Sequence, residues 1–496
     1  MKKQFIWIMT DTMGYNMVGC YGSEISTPNV DGMARRGLRF ERAYTCQPVC
    51  GPARSALFTG QYPHTNGSWG NSMPLGADVK TLGQRLTAAG VPCAYIGKWH
   101  LDAGDYFGNG VCPDGWDPAY WYDMKCYLDE LTEEERLFSR DPASSKKGVE
   151  APFTYGYRVT VRALEYIEAH KDEDFFLVVS YDEPHGPCLC PEPYASMYDR
   201  PLGANPAWDD GLSDKPECLR VWAETTGQAD PAKRCRGIAP ELAACTSYID
   251  SQIGRVLDCA RENTPDALRL FTSDHGDAAH AHGLNGKGPS VCDEIARIPL
   301  IFEGPCAPVG AVYGHVVSHI DLPATVLDYI GLQRPVMLEG ESLLPQLRDP
   351  SAPTNRPAHV EFGRYEIDHD GFGGFQPMRA VVTDEYKLAL HLLDGDEMYD
   401  TARDPHDLRN VIDDGAYAEI RDRLHDEIID WMNRTRDPFR GYQWQCRPWR
   451  GDKTPSWNVD GYTRQRDNDP GEYRQLDYDT GLPMEKATRH KNLSGK

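Results

Sequence analysis

A chain of 496 residues, 40% hydrophobic and 26% charged, is a globular protein long enough for one large core and a smaller companion. Its net charge of −23, from 52 basic against 75 acidic residues, argues against a nucleic-acid partner, whose phosphates it would repel. No apolar run approaches a membrane span. The 15 cysteines, odd in number and without Cys-x-x-Cys spacing, argue against a disulfide scaffold or structural zinc.

In chain order, residues 5–9 form a short apolar run that predicts a first buried strand. It is too short for a signal h-region after Met1-Lys2-Lys3, so a cytoplasmic location is expected. Helical patterns over 79–89, 157–169, 241–261 and Leu322–Ile330 alternate with strand-like runs over 92–96, Phe175–Ser180, 268–271 and 298–302. Strands separated by helices predict an α/β fold over 1–345, a mostly parallel sheet between helices. Residues 346–437 predict a smaller sheet-plus-helix subdomain, with strands at 379–383 and Tyr386–His391 and a helix at 417–432. The tail, 438–496, has little periodicity. Trp444, Trp449 and Trp457 are costly to leave in water, so it is expected to pack on the body or on a partner subunit.

Polar residues cluster just past the predicted strands: Asp11, Lys98, Glu183 and Asp274. In open α/β sheets ligands gather outside those carboxyl ends, so distant segments converge on one rim. Five segments carry chemistry there: Asp11; Gly97-Lys98-Trp99-His100; Glu183-Pro184-His185-Gly186-Pro187; Thr272-Ser273-Asp274-His275-Gly276-Asp277; and Gly286-Lys287-Gly288. Taken singly, each is an ordinary turn or surface residue. A sixth, Cys50-Gly51-Pro52-Ala53-Arg54 followed by Thr59-Gly60, sharpens the reading. Cys46-Gln47-Pro48 begins the same way but has Cys50 where an arginine would stand.

Together these segments resemble the type I, formylglycine-dependent sulfatases, in type, chain order and strand-end placement, over residues 4–435. The resemblance implies an alkaline-phosphatase-like fold and a sulfuric ester hydrolase. It implies that a maturation enzyme converts Cys50 to formylglycine, whose hydrated aldehyde attacks sulfur. Asp11, Asp274, His275 and residue 50 would hold a divalent cation, Ca2+ in first place, with Mg2+ or Mn2+ open. Lys98 and Lys287 would neutralise the sulfate, Arg54 would hold the formylglycine, His185 would protonate the leaving oxygen and His100 would release the product. One departure stands out: Thr12 occupies the place of a second aspartate, so the cation has one carboxylate fewer.

Substrate identity is less legible. The resemblance extends to bacterial glycosaminoglycan sulfatases, which favours a sulfated sugar, with uronate 2-O-sulfate ahead of 6-O-sulfated hexosamine. Rivals are a phosphonate monoester or phosphodiester hydrolase of the same fold, and a catalytically silent glycan-binding protein. Tyr106, Trp116, Trp121 and Tyr122 either stack on sugar or fill the core. Glu361, Arg364 and His369 are candidate substrate partners at a pocket lip. Neither nucleic acid nor membrane is expected, and the oligomeric state stays open.

Overall fold

The computed structural model describes residues 2–102, 106–354, 356–365, 374–452 and 476–483. Seven strands form the main sheet: β1 (Gln4–Thr10), β2 (Leu38–Tyr44), β3 (Cys93–Gly97), β4 (Phe175–Ser180), β5 (Leu268–Ser273), β6 (Arg297–Glu303) and β7 (Ala311–Ser318). Their order is β3-β4-β1-β5-β6-β2-β7, and β6 alone runs against both neighbours. In β1 the expected alternation separates two cores. Ile6 and Ile8 point to one face, whereas Phe5, Trp7 and Met9 point to the other.

Helices α1 (Cys50–Thr59) and α4 (Leu322–Ile330) cover the second face through Leu57, Phe58, Leu322 and Val326. Helices α2 (Tyr155–His170) and α3 (Pro240–Asn263) cover the first through Val159, Ile167, Ile249 and Ile253. This is the α/β architecture that the alternating elements predict. Trp116 and Trp121 belong to the second core and Tyr122 to the first, so these three fill the interior. The predicted list lacks β2, β7 and α1. β2 carries Arg39, Glu41 and Arg42 among its apolar residues, and β7 is interrupted by Gly314 and His315.

A second, antiparallel sheet has the order β11-β10-β9-β8, from β8 (Ala358–Phe362), β9 (Met378–Val382), β10 (Tyr386–His391) and β11 (Glu397–Asp400). The chain divides into two compact units, Met1–Val411 and Ile412–Lys496. The small sheet falls in the first, and helix α5 (Ala418–Arg434) lies in the second. Within the second unit the first part of the tail, residues 438–452, folds back on α5. Trp444 is buried with its carbonyl 2.7 Å from His425 Nε2, and the Arg421 guanidinium lies 4.5 Å from the Trp449 ring centre. Trp457 lies outside the described residues. No helix among the described residues is long and apolar enough to cross a membrane.

The loop after β4 is tied to the helix layer by a buried carboxyl. Glu183 Oε1 accepts the Gly156 N–H at 2.8 Å, in the first turn of α2. Burial, then the neighbouring Asp182, pushes this carboxyl up to about 7. Below its ordinary value of 4.5 both folded and unfolded chains hold the proton. Between 4.5 and about 7 the folded chain binds it more tightly, so this contribution falls as pH rises through that window. Glu183→Gln abolishes this titration. Calorimetric melting across this range should therefore show a shallower decline for the variant than for wild type.

Candidate active site

The candidate rim starts from α1, whose ten residues are all buried. Pro52 lies in its first turn, where its missing N–H had no helical partner to lose. The Gly51 N–H, an orphan of the same turn, is taken by Asn71 Oδ1 at 2.9 Å. Cys50 and Arg54 are one turn apart and share a face, which is the geometric content of the Cys-x-Pro-x-Arg spacing. The helix thus presents a sulfur, a guanidinium and its own partly positive end to the sheet.

Arg54 is fully buried and reaches four strand ends. Its Nε donates to Asp274 Oδ2 at 2.9 Å and its Nη2 to Asp11 Oδ2 at 3.2 Å. Nη1 donates to the Lys98 carbonyl at 2.7 Å and to Ser180 Oγ at 2.9 Å. Gly97 lets these strands close: at φ +120, a Cβ would fall 1.8 Å from the Ser180 carbonyl oxygen. Lys98 Nζ then sits 2.7 Å from Asp11 Oδ2 and 3.0 Å from Asp182 Oδ1. Burial works against the Lys98 charge, but Asp11 and Asp182 outweigh it and hold its pKa well above the ordinary lysine value.

Cys50 is the convergence point. Lys287 Nζ donates to its sulfur at 2.6 Å, His275 Nε2 lies 3.2 Å away and Asp11 Oδ1 3.6 Å away. Burial and Asp11 push the thiol up; Lys287, Lys98 and His275 outweigh them, and the sulfur is held well below its ordinary value. His100 faces the same sulfur from a left-handed backbone at φ +61 and is pushed down, chiefly by burial. Asp11 is held low: burial is outweighed by Lys98, Lys287, His185 and Arg54. Asp274 is pushed up to about 6 by burial and then by Asp11, an unfavourable meeting of two carboxylates that a cation would relieve.

Asp11, Cys50, Asp274 and His275 each offer a ligand atom, all within 4.8 Å of one another, so the predicted metal residues do come together. His275 also has the outer contact of a metal histidine. Its Nδ1 lies 2.8 Å from the Gly276 carbonyl, which fixes the proton there and turns Nε2 inward. Thr12 completes the cradle from a left-handed backbone at φ +69, uncommon for a β-branched residue. Its hydroxyl donates to Asp11 Oδ1 at 2.6 Å and its N–H to Asp274 Oδ1 at 3.2 Å. It braces the two carboxylates where a second aspartate would have added charge.

All six residues of the expected catalytic set therefore meet at one rim, His185 being the one left partly exposed. Three further residues join them without a motif to announce them. Tyr106 lies 4.0 Å beneath Lys98 Nζ, measured to the ring centre, and its hydroxyl is 2.5 Å from Asp182 Oδ1 and 2.9 Å from His185 Nδ1. Asn71 is the second, holding Gly51, and the third is Tyr365, whose phenol acts on Lys287 and whose carbonyl accepts the Asn71 N–H at 2.9 Å. Of the expected substrate residues, Arg364 precedes Tyr365, with its carbonyl packed against Gly70. Glu361 is buried and bound to His64 through both the backbone N–H, at 2.8 Å, and the ring. It braces the loop and offers no free carboxylate. His369 lies outside the described residues.

The family model Sulfatase matches residues 3–332, and N-sulphoglucosamine sulphohydrolase, C-terminal, matches 282–434. The chain is 44% identical over 503 residues to Uncharacterized sulfatase YidJ of Escherichia coli (strain K12), covering 98% of this chain and 97% of that one. It is 26% identical to the Delta 4,5-hexuronate-2-O-sulfatase of Bacteroides thetaiotaomicron, covering 92% and 94% of the two chains. The phosphonate monoester hydrolase of Silicibacter pomeroyi shares the fold, with a TM-score of 0.73 at 21% identity over 88% of this chain and 96% of that one. The chain belongs to the sulfatase family, the sulfuric ester hydrolases of the alkaline-phosphatase-like fold.

Arg54→Ala should strand two buried carboxylates and cost roughly 3–5 kcal/mol, read as a large drop in melting temperature. Arg54→Lys keeps the charge but cannot fork between Asp11, Asp274 and the strand ends, and should melt between the two.

Proposed function

We propose that this sulfatase works through formylglycine at position 50 and acts on a sulfated sugar of glycosaminoglycan type. The convergence of Lys287, His275 and Asp11 on the Cys50 sulfur carries the reading. A group placed there is surrounded by cations in a water-poor site, which suits a nucleophile facing an anionic ester. A divalent cation held by Asp11, Asp274, His275 and residue 50 would supply Lewis acidity to the nucleophile and the sulfate, with calcium first among the candidates.

One hydroxyl of the hydrated aldehyde gives up its proton to solvent and attacks sulfur, and the bond from sulfur to the sugar oxygen breaks. Lys98 and Lys287 offset the charge on the sulfuryl oxygens. His185 gives its Nε2 proton to the departing oxygen. His100 then takes the proton of the second hydroxyl, the carbon–oxygen bond to sulfate breaks, and the aldehyde is restored. An unmodified serine has no such internal exit.

Tyr106 explains why His185 is suited to its part. The phenol donates to Asp182, so its oxygen is left to accept the Nδ1–H of His185, which also lies 3.1 Å from the Gly186 carbonyl. Nδ1–H is thereby committed to Tyr106, and the Nε2–H of the imidazolium is the one left for the leaving group. Tyr106 is a positioning residue on this account.

The named activity of the hexuronate-2-O-sulfatase relative supports a 2-O-sulfated uronate, with Arg364 as a partner for its carboxylate. The shared fold of the phosphonate hydrolase keeps a phosphonate monoester as the second reading. Disaccharides sulfated at one position each, tested beside an aryl phosphonate ester, distinguish them. Release of sulfate from the 2-O-sulfated uronate is the expected result. Faster turnover of the phosphonate would overturn the sulfated-sugar reading.

Active enzyme should yield a residue-50 peptide lighter by about 18 Da, the difference between thiol and aldehyde. Cys50→Ala should abolish turnover and Cys46→Ala should leave most of it. A fully active preparation with intact Cys50 thiol would sink the nucleophile assignment.

His185→Ala should lower kcat on a sugar sulfate by roughly 100- to 10,000-fold and far less on a nitrophenyl sulfate, which needs little proton assistance. Tyr106→Phe keeps the ring beneath Lys98 and should show the same leaving-group bias at about 10-fold, with KM little changed. Equal losses on both substrates would reduce Tyr106 to a packing role.

A further inference from the structure

Before any modification, the same cradle holds a donor set of a different kind: one sulfur, one imidazole nitrogen and two carboxylate oxygens, all buried. Hard cations such as calcium take oxygen ligands, six to eight of them, whereas sulfur and imidazole suit zinc. The spacing of the donors decides between the two. With bonds of about 2.3 Å to sulfur and about 2.0–2.1 Å to nitrogen and oxygen, a tetrahedral zinc site has edges of about 3.3–3.6 Å. Here Cys50 Sγ is 3.2 Å from His275 Nε2 and 3.6 Å from Asp11 Oδ1. His275 Nε2 is 3.7 Å from Asp274 Oδ1 and 3.9 Å from Asp11 Oδ1. Three of the six edges thus lie within about 0.4 Å of a zinc tetrahedron, and the fourth, from His275 Nε2 to Asp11 Oδ1, is longer by about half an ångström.

The outer contacts fit as well. Arg54 occupies the Oδ2 atoms of both carboxylates, and the Oδ1 atoms, which also accept from Thr12, are turned toward Cys50 and His275. The Gly276 carbonyl holds the His275 proton on Nδ1, so Nε2 can coordinate. One group opposes binding: the Lys287 ammonium, 2.6 Å from the sulfur, competes for it.

We propose that the chain with an intact Cys50 thiol is a four-coordinate site for zinc, and that loss of this sulfur on maturation turns the cradle toward hard, oxygen-preferring cations. Binding forms the zinc–sulfur bond, and the proton of the intact thiol goes to buffer. The inference concerns the unmodified chain and stands whether or not the matured enzyme proves to be a sulfatase.

The test uses full-length, metal-stripped protein whose residue-50 peptide has the mass of unmodified cysteine. Zinc affinity is measured by competition with a chromophoric chelator, and the ligand set by cobalt substitution. Wild type should bind one equivalent of zinc at least about 100-fold more tightly than Cys50→Ala, and only wild type should show a thiolate-to-cobalt charge-transfer band at this site. The other cysteines are common to both proteins, so the difference isolates Cys50. Calcium affinity should be the same in both within about threefold, because calcium gains little from a thiolate. Lys287→Met should tighten zinc binding, a gain that misfolding cannot imitate. Equal zinc affinity in wild type and Cys50→Ala, or cobalt bound without the thiolate band, would overturn the proposal.

Discussion

Everything at this rim depends on one buried guanidinium. Arg54 is fixed one turn along a helix whose residues are all buried, and it spends its donors on the ends of β1, β3, β4 and β5. A planar fork with five donors can satisfy two carboxylates, a carbonyl and a hydroxyl at once, and no other side chain can. It therefore sets the distance between the helix that carries position 50 and the strands that carry Asp11, Lys98 and Asp274. A buried charge of this kind contributes little net stability, and its value here lies in specificity of position.

The site is strongly cationic inside a chain of net charge −23. The two facts are compatible because burial makes electrostatics local. Arg54 shares Asp11 and Asp274, Lys98 shares Asp11 and Asp182, and Lys287 stands 3.9 Å from Asp11, so each cation is only partly balanced before substrate arrives. The acidic surface is solvated and screened over about 8–10 Å at physiological salt. What an incoming anion meets is set by the few residues lining the rim.

Residues tied to chemistry were legible in the sequence because each stands just past a buried strand within a short run of punctuating residues. Lys98 in Gly-Lys-Trp-His and Asp274 in Thr-Ser-Asp-His-Gly are examples. Asp182 and Tyr106 were not, because their role comes from where two separate segments cross. A single Tyr after a strand looks the same whether it stacks on sugar, fills a core or orients a histidine. Thr12 was visible as a missing carboxylate, whereas its bracing hydrogen bonds depend on a backbone at φ +69 that no pattern specifies. Glu361 failed in the opposite way. It reads as a residue of a pocket lip, whereas its place inside β8 and its bond to His64, 297 positions earlier in the chain, carry no local signal. In the main sheet the strands were legible where apolar residues dominated, and lost where β2 and β7 mixed charge and glycine with apolar residues.

Cys50 is 1% exposed, and its helix is enclosed along its whole length. An enzyme acting on this cysteine needs its own catalytic residues around the sulfur, and the folded chain leaves no room for them. On the proposed maturation, conversion would have to precede the closure of the sheet over α1. The order of events is set by chain growth: Cys50 is made early, whereas Asp274 and Lys287, which seal it, arrive more than 220 residues later. That interval is the time in which position 50 can still be reached, and the length of the chain between the two segments determines how long it lasts.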